Sequence, residues 1–378
     1  MKDRFEVLDI FRGIFSAMVV FFHMSFFSAT PLLNNSFIYN SDLFVDFFFV
    51  LSGFVIAYSY RQMNSYRQVK IFLKKRISRL YPLHLIMLLV FVVIELSKHL
   101  FEGRIQINNL NNENNSWHTF VSSLLLMNSV KQPGVTDVSW NIPSWSISAE
   151  MISYLMFGSL LFGLYKLQNL KNRNYFFAFI AVTSIAIMFI INGNYKINYS
   201  FNYGFLRGLA GFFTGVLCLN LFNFLRNNLN ALPDLFFHIS ELLLIVSIGI
   251  YIYRGDTFKN IGFIYEIAFF SSVLIFAFER GFISGLLKRS GFLKKMGKYS
   301  YSIYMTHAFI LSIFNIIFIR LLHFPPSAYA YLFIVNYFII YKVSQWTYTN
   351  IEMRFSWKNK LARRKATTAN YSDKVLTA

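Results

Sequence analysis

The sequence predicts an all-α fold of the polytopic membrane class, a bundle of about ten transmembrane helices. Of its 378 residues, 56% are hydrophobic and 14% are charged, whereas soluble domains carry about 25% charged residues. The apolar residues gather in segments near the length of about 20 residues that crosses a bilayer. The first segment has no small-residue cleavage site, so we expect it to be retained as a span. A soluble globular fold is therefore excluded.

Ten apolar segments are the candidate spans. In order along the chain they are 8–28, 43–60, 82–99, 147–165, 175–192, 203–222, 235–253, 261–279, 299–319 and 327–347. The segment 100–146 is the longest connection between them. Its residues 117–129 are too few to cross the bilayer. We therefore expect an interfacial helix there.

Lysine and arginine residues are distributed unequally between alternate connections. With the N-terminus in the cytoplasm, 26 of the 36 lie in cytoplasmic segments and seven in outer segments. Cytoplasmic loops carry such an excess, so both termini are predicted to be cytoplasmic. The same distribution accounts for the net charge of +19 without a nucleic-acid partner. We divide the chain into a membrane domain, 1–353, and a basic, disordered cytoplasmic tail, 354–378.

The charged side chains of Arg12, Glu150 and Arg207 fall within predicted spans. An unpaired charge near the centre of a bilayer costs about 2.5–3.5 kcal/mol, so each should pair or face a wet interior. Glu150 is expected to pair with Arg12 or Arg207, or else to orient a substrate. Asp46 places a further acid at the outer end of the second span, where Gly53 permits close helix packing.

The first span places three polar side chains on one face. Arg12 and His23 are eleven residues apart, which is about 20° past three full helical turns and about 16 Å along the axis. Asp9 lies one turn before Arg12 and can pair with it. A neutral histidine there can remove a proton from an attacking hydroxyl, although the spacing also fits a structural Asp–Arg pair beside an incidental histidine. His307, in the ninth span, fits a hydrogen-bonded core residue as well as a catalytic one.

The loop 61–81 carries seven Lys and Arg residues. Its last part, with Lys75, Arg76 and Arg79, leads directly into the third span. Guanidinium groups there can hold phosphate; the alternative is a loop that is basic only because it is cytoplasmic. The single cysteine, Cys218, and the absence of a metal-binding His–Glu pattern predict neither a disulfide nor a metal site.

Five short motifs resemble those of the acyltransferase-3 family of membrane acyltransferases, and they follow in the family's order. They are LDIFRG at 8–13 with His23 after it, FFVLSGF at 48–54, RISRLYP at 76–82, WSISAE at 145–150 and GKYSYSIY at 297–304. The resemblance extends from residue 5 to about residue 355 and so covers nearly the whole chain.

The resemblance implies O-acylation of a surface or exported carbohydrate in a bacterial cytoplasmic membrane. It implies acyl-CoA, with acetyl-CoA the commonest, as a co-substrate instead of a bound cofactor, and a carbohydrate acceptor that is free or lipid-linked. His23 would be the base, Arg12 its partner, and Arg76 and Arg79 the donor contacts. We add the adjacent Lys75 to the donor contacts and take five residues as supporting: Asp9, Asp46, Glu150, Arg207 and His307.

Two positions depart from the family pattern. Glu150 is followed by Met151, where many members have Glu or Trp, and the segment 352–355 lacks the usual proline. We also expect no C-terminal esterase-like domain, so that the protein acts alone or with a separate partner. The main rival function is a transporter or flippase for a glycan or lipid intermediate, although no broken helices recur in matching halves. A non-catalytic scaffold would leave the Arg12–His23 spacing unexplained.

Overall fold

A computed structural model describes residues 5–100 and 112–357 of the chain. These residues form helices joined by turns, with no strand among them. The α-helices are α1 (Glu6–Ser25), α2 (Ser36–Tyr39), α3 (Phe44–Ser59), α4 (Tyr66–Leu100), α5 (Trp117–Leu124), α6 (Ser144–Lys166), α7 (Arg173–Asn192), α8 (Gly204–Asn230), α9 (Asp234–Tyr253), α10 (Gly255–Phe258), α11 (Phe263–Phe276), α12 (Phe282–Arg289), α13 (Gly291–Asn315), α14 (Tyr329–Thr347) and α15 (Met353–Phe355). Most of the predicted tail, 358–378, lies outside the described residues.

Each of the ten predicted spans coincides with a helix. Among the described residues, eight helices are long and apolar enough to cross a membrane, and counting the bent pair Gly255–Ile261 and Phe263–Phe276 as one span makes nine. The predicted tenth span forms α14, but Asn336, Lys342 and Gln345 make it less apolar than those eight. The polytopic helical class is thus confirmed, with eight or nine spans by length and composition in place of ten.

Helices α7 and α9 show which surface faces lipid. Their outward positions are large and apolar, such as Phe179 and Ile190 on α7 and Leu243 on α9. Their opposite positions pack inside the protein, as Phe177 and Phe237 do. An apolar outer face with a packed inner face is what a helix at the edge of a membrane bundle requires.

Helices α1 and α13 run parallel and very close together. Gly13 and Gly297 face each other at the crossing, where a Cβ on either residue would overlap the other helix. Small residues at such crossings let two backbones approach. Glu6 and Lys294 form an ion pair of 2.9 Å at one end of the helix pair. We call this end of the bundle, where the first turns of α4 also carry cations, the basic end.

Helices α3 and α8 form a second close crossing. The backbone of Phe212 lies where a side chain on Gly53 would be, and the carbonyl group of Val50 lies against Gly215 in the same way. The predicted role of Gly53 in close packing is therefore confirmed. Around this crossing the core is aromatic, with Phe47 packed edge-on against Phe269.

The connection between α4 and α6 folds back into the bundle from the end opposite the basic end. The Tyr81 hydroxyl of α4 donates to the Leu124 carbonyl at 2.9 Å, and the Asn141 amide donates to the Met305 carbonyl of α13 at 3.2 Å. Since Tyr81 and Met305 lie near the middle of their helices, residues 112–143 reach the middle of the bundle. We call residues 112–143 the re-entrant segment.

The helix predicted over 117–129 is present but shorter. It is α5, which ends at Leu124 because Leu126 turns into the left-handed region, with φ 56°. The prediction of an interfacial position describes only its start, because its end reaches the interior.

Candidate active site

The basic loop predicted over 61–81 is mostly helical. Helix α4 begins at Tyr66 and continues through Pro82 to Leu100, so the prediction of a loop before a span starting at 82 was wrong. The proline does not end the helix, which continues past it and packs along α6 and α13. The helix fixes Arg76 and Arg79 one turn apart, on the face that points into the bundle.

A cavity of about 110 Å³ lies between α1, α3, α4, α6 and α13. That is room for several water molecules or a small acyl group. Its apolar wall comes mainly from α3. Its polar lining consists of Arg12, Ser52, Arg76, Arg79, Ser146, Glu150, Tyr154, Ser300, Tyr301 and Tyr304.

Arg12 is held at the wall of this cavity by α13 and by its own helix. Its Nε donates to the Ser300 hydroxyl at 2.8 Å, and its Nη2 donates to the Gly297 carbonyl at 3.4 Å. Asp9 lies 3.4 Å from the same Nη2, as their spacing predicts. The side chain keeps 27% of its surface exposed, so a charged ligand group can still reach it.

Arg76 and Arg79 line the cavity at the basic end. Arg76 donates to the Tyr60 hydroxyl at 3.4 Å, while Lys75 lies 5.9 Å from the centre of the same ring and is not part of the lining. Arg79 Nε lies 3.6 Å from a carboxylate oxygen of Glu352. At that distance the ion pair is weak, so the guanidinium can still bind a second anion.

Glu352 and Ser52 are site residues that sequence reasoning missed as such. The Glu352 carboxylate also accepts from the Ser302 hydroxyl at 3.3 Å, so it ties the C-terminal end of the described chain to α13 and α4. Its only sequence signal was its place in the segment 352–355, which resembles the end of the family pattern. Ser52 lies in the motif at 48–54, but no spacing in the sequence indicates that Glu150 is its partner.

Glu150 faces the same cavity without an arginine as its hydrogen-bond partner. Its carboxylate accepts from the Ser52 hydroxyl at 2.5 Å and from the Tyr154 hydroxyl one helical turn away. The expected pairing with Arg12 or Arg207 was therefore wrong, and the alternative, contact with a substrate, stays a prediction. Two hydroxyl donors satisfy the carboxylate at a lower cost than burying it alone.

Arg207 finds its partner in Asp46 and not in Glu150. The two side chains form a bidentate pair, with Nε–Oδ1 at 2.6 Å and Nη2–Oδ2 at 2.8 Å. The guanidinium carbon also lies 5.4 Å from the centre of the Trp145 ring. Neither Asp46 nor Arg207 lines the cavity, so the pair joins α3 to α8 instead of facing a ligand.

His23 and His307 form a pair of imidazoles beyond the cavity. His307 Nε2 lies 3.2 Å from His23 Nδ1, and the ring centres are 4.8 Å apart. Tyr304, which lines the cavity, has its ring centre 5.9 Å from that of His307. Arg12 and His23 therefore both contact α13, as their shared face predicts. Arg12 contacts it at Ser300 and His23 contacts it at His307.

The hydrogen bonds of His23 assign its tautomer. Its Nδ1 lies 2.9 Å from the Val19 carbonyl of its own helix, so Nδ1 carries the proton and donates it. The lone pair is then on Nε2, where a base needs it. Such an imidazole can take a proton from a hydroxyl, while its Nδ1–H stays bonded to the Val19 carbonyl. Within the described ranges, no group of three His, Cys, Asp or Glu residues could hold a metal ion.

Comparisons with known proteins agree with the motifs. A family model described as an acyltransferase domain matches residues 5–344. The chain is also 38% identical over 89 residues to "Protein 2 in picA locus" from Rhizobium radiobacter, a match that covers 23% of this chain and 43% of that protein. The match therefore spans less than half the length of this relative. No solved structure matches the chain.

Proposed function

Since the chain belongs to the acyltransferase-3 family, we propose that it is a membrane-bound O-acyltransferase for a carbohydrate hydroxyl. The donor would be acyl-CoA, with acetyl the expected group, at the cytoplasmic face of a bacterial inner membrane. One observation carries the proposal: Arg12, Arg76 and Arg79 line one cavity, and Tyr304, in the same lining, lies beside His307 of the His23–His307 pair. This arrangement supports an anion-binding end and a base within one apolar bundle.

The donor would bind at the basic end. Acyl-CoA carries phosphate groups at one end of a long flexible arm and the thioester at the other. Arg76 and Arg79 would hold phosphate, because guanidinium groups bind its oxygens in a bidentate manner. The arm would then extend along the cavity past Arg12, which places the thioester toward the imidazole pair.

The base would act on the acceptor hydroxyl. As the hydroxyl oxygen attacks the thioester carbonyl, its proton passes to His23 Nε2, and the carbon–sulfur bond breaks. The thiolate of CoA then takes that proton and leaves as the thiol. Arg12, fixed by Ser300 and Asp9, would donate hydrogen bonds to the amide carbonyls of the donor's arm on its way to the imidazole pair.

Acceptor-dependent release of CoA thiol tests the proposal. The protein is purified in detergent and given acetyl-CoA with and without oligosaccharides, and the free thiol is measured together with acetyl groups on the sugar. We expect thiol and acetylated sugar to appear in equal amounts, and only when both substrates are present. A transporter or a scaffold would release no thiol in response to the sugar.

A further inference from the structure

The re-entrant segment enters the half of the bundle opposite the basic end and makes polar contacts there. Ser129 and Ser148 share a hydrogen bond of 2.8 Å, and the Asn128 amide donates to the Ser144 hydroxyl at 2.8 Å. Apolar side chains would fill this space at lower cost if it served only for packing. A polar interior at this depth instead indicates a wet region.

Five buried polar atoms in this region lack a hydrogen-bond partner among residues 5–100 and 112–357. They are Ser123 Oγ, Asn128 Oδ1, Gln132 Oε1, Asn141 Oδ1 and, on the facing helix α4, His84 Nδ1. Ser123, Asn141 and His84 have at most 1% of their surface exposed. An unsatisfied buried polar group costs about 1–3 kcal/mol, so these atoms are suited to hydrogen bonds with water or with the hydroxyls of a ligand.

The re-entrant segment ends against the residues that precede the imidazole pair. Asn141 donates to the Met305 carbonyl, two residues before His307. Ser146, at the start of α6, donates to the Tyr304 hydroxyl at 3.0 Å. A ligand bound along this segment would therefore reach the imidazoles from the side opposite the donor.

Aromatic rings lie along the same segment. Trp117 is 77% exposed at its start and stacks on Phe120 with ring centres 5.3 Å apart. Trp140 packs edge-on against Phe120 and donates its indole N–H to Thr119 Oγ1 at 3.1 Å. Rigid rings beside a few convergent polar groups are the usual composition of a small-ligand site. Sugars fit it, because they present an apolar ring face and a rim of hydroxyls.

From these contacts we infer that the re-entrant segment is the acceptor site, which seats a carbohydrate with Asn141 at its inner end. This inference rests on the proposed acyl transfer. It adds where the acceptor binds and from which end of the bundle it enters. The sugar and the acyl-CoA would then enter from opposite ends of the bundle and meet at His23. A segment that held only water would share the unpartnered atoms but would not bind sugar.

Cysteine labelling tests whether the segment is open to the solvent. In a Cys218→Ala background, Asn128→Cys, at a partly exposed position of the segment, is treated with a membrane-impermeant maleimide in spheroplasts. Trp117→Cys serves as the accessible control and Ser184→Cys, buried in α7, as the inaccessible one. We expect Asn128→Cys to react, as Trp117→Cys does, and Ser184→Cys not to react. A reactive Trp117→Cys beside an unreactive Asn128→Cys would overturn the inference.

Acceptor kinetics test whether the segment binds sugar. Asn141→Ala, and Asn141→Ser in case the alanine variant folds poorly, are compared with Asn336→Ala, the same change at a buried site in α14. The probe is the oligosaccharide that the wild type acylates. We expect the apparent KM for the sugar to rise about tenfold in the Asn141 variants, the effect of one lost hydrogen bond, with the KM for acetyl-CoA unchanged.

The outcomes separate the two proposals. An active wild type whose Asn141 variants keep the wild-type KM for the sugar contradicts the acceptor site alone. A wild type that transfers no acyl group to any oligosaccharide contradicts the proposed function and removes the basis of this inference with it.

Discussion

Arg207 and Arg12 both lie in apolar helices of the bundle, yet their surroundings are opposite in kind. Arg207 is 2% exposed, and both oxygens of Asp46 hold it at hydrogen-bond distance. Arg12 keeps 27% of its side-chain surface exposed to the cavity, and its ion pair with Asp9 is a longer 3.4 Å. We call the first arrangement the closed pair, and the cavity-lining cations Arg12, Arg76 and Arg79 the open cations.

The difference teaches how to separate structural from functional charges in a membrane protein. A closed pair satisfies its own charge and joins two helices, so a ligand has nothing to add. Open cations are neutralised only in part, so an incoming anion can still form a favourable ion pair with them. On this basis we propose that the basic end binds the donor and that the Asp46–Arg207 pair holds α3 against α8.

The largest expected effect comes from the base beyond the open cations. His23→Ala should lower acyl transfer by about 10²–10⁴-fold, the usual contribution of a positioned base. The protein should still accumulate in the membrane, because within the described part of the chain the side chain hydrogen-bonds to its own helix and to His307 alone. The measurement is acetylated sugar formed per amount of protein, with His238→Ala, on the exposed face of α9, as the control. Near-wild-type transfer by His23→Ala would exclude it as the base.

The next effect is on stability and concerns the closed pair. Asp46→Asn keeps the shape of the side chain but leaves the Arg207 charge buried, which should cost about 3–5 kcal/mol. We expect a lower Tm in detergent and little accumulation. The matched control is Asp42→Asn, whose partially exposed pair with Lys259 should be worth about 0–1 kcal/mol. An Asp46→Asn protein that melts like the wild type but transfers no acyl group would place the pair in the active site.

The sequence alone predicts the helices well and the partners poorly. Each of the ten apolar segments lies on a helix, and the helical repeat puts Arg12 and His23 on one face. Both inferences use only residues that lie close together in the sequence. The pairing of Asp46 with Arg207, and of Arg79 with Glu352, joins residues from distant helices, so no spacing rule can find it.

The re-entrant segment shows a second limit. Its residues fall in the connection between two predicted spans, so the sequence placed them outside the bundle and 117–129 at its interface. The contacts with Tyr81 and Met305 show that the segment enters the bundle. The helical form of 66–81 was missed for a related reason, since charged residues before Pro82 are typical of a loop that leads into a span.

A smaller effect is expected from the open cations themselves. Arg79→Lys keeps the charge but loses the bidentate geometry, so the apparent KM for acetyl-CoA should rise about tenfold, with kcat nearly unchanged. Arg67→Lys is the matched control, because Arg67 is exposed on the same helix and does not line the cavity. An unchanged KM for Arg79→Lys would favour a purely topological role for these cations.

Direct binding of acyl-CoA tests the central claim, that the open cations bind the donor while His23 acts only on the reaction. Equilibrium binding of labelled acetyl-CoA to purified protein is measured for the wild type, His23→Ala and the double variant Arg76→Lys/Arg79→Lys. His23→Ala should keep the wild-type Kd, and the double variant should bind at least about tenfold more weakly. A double variant that binds acetyl-CoA as tightly as the wild type would contradict the claim.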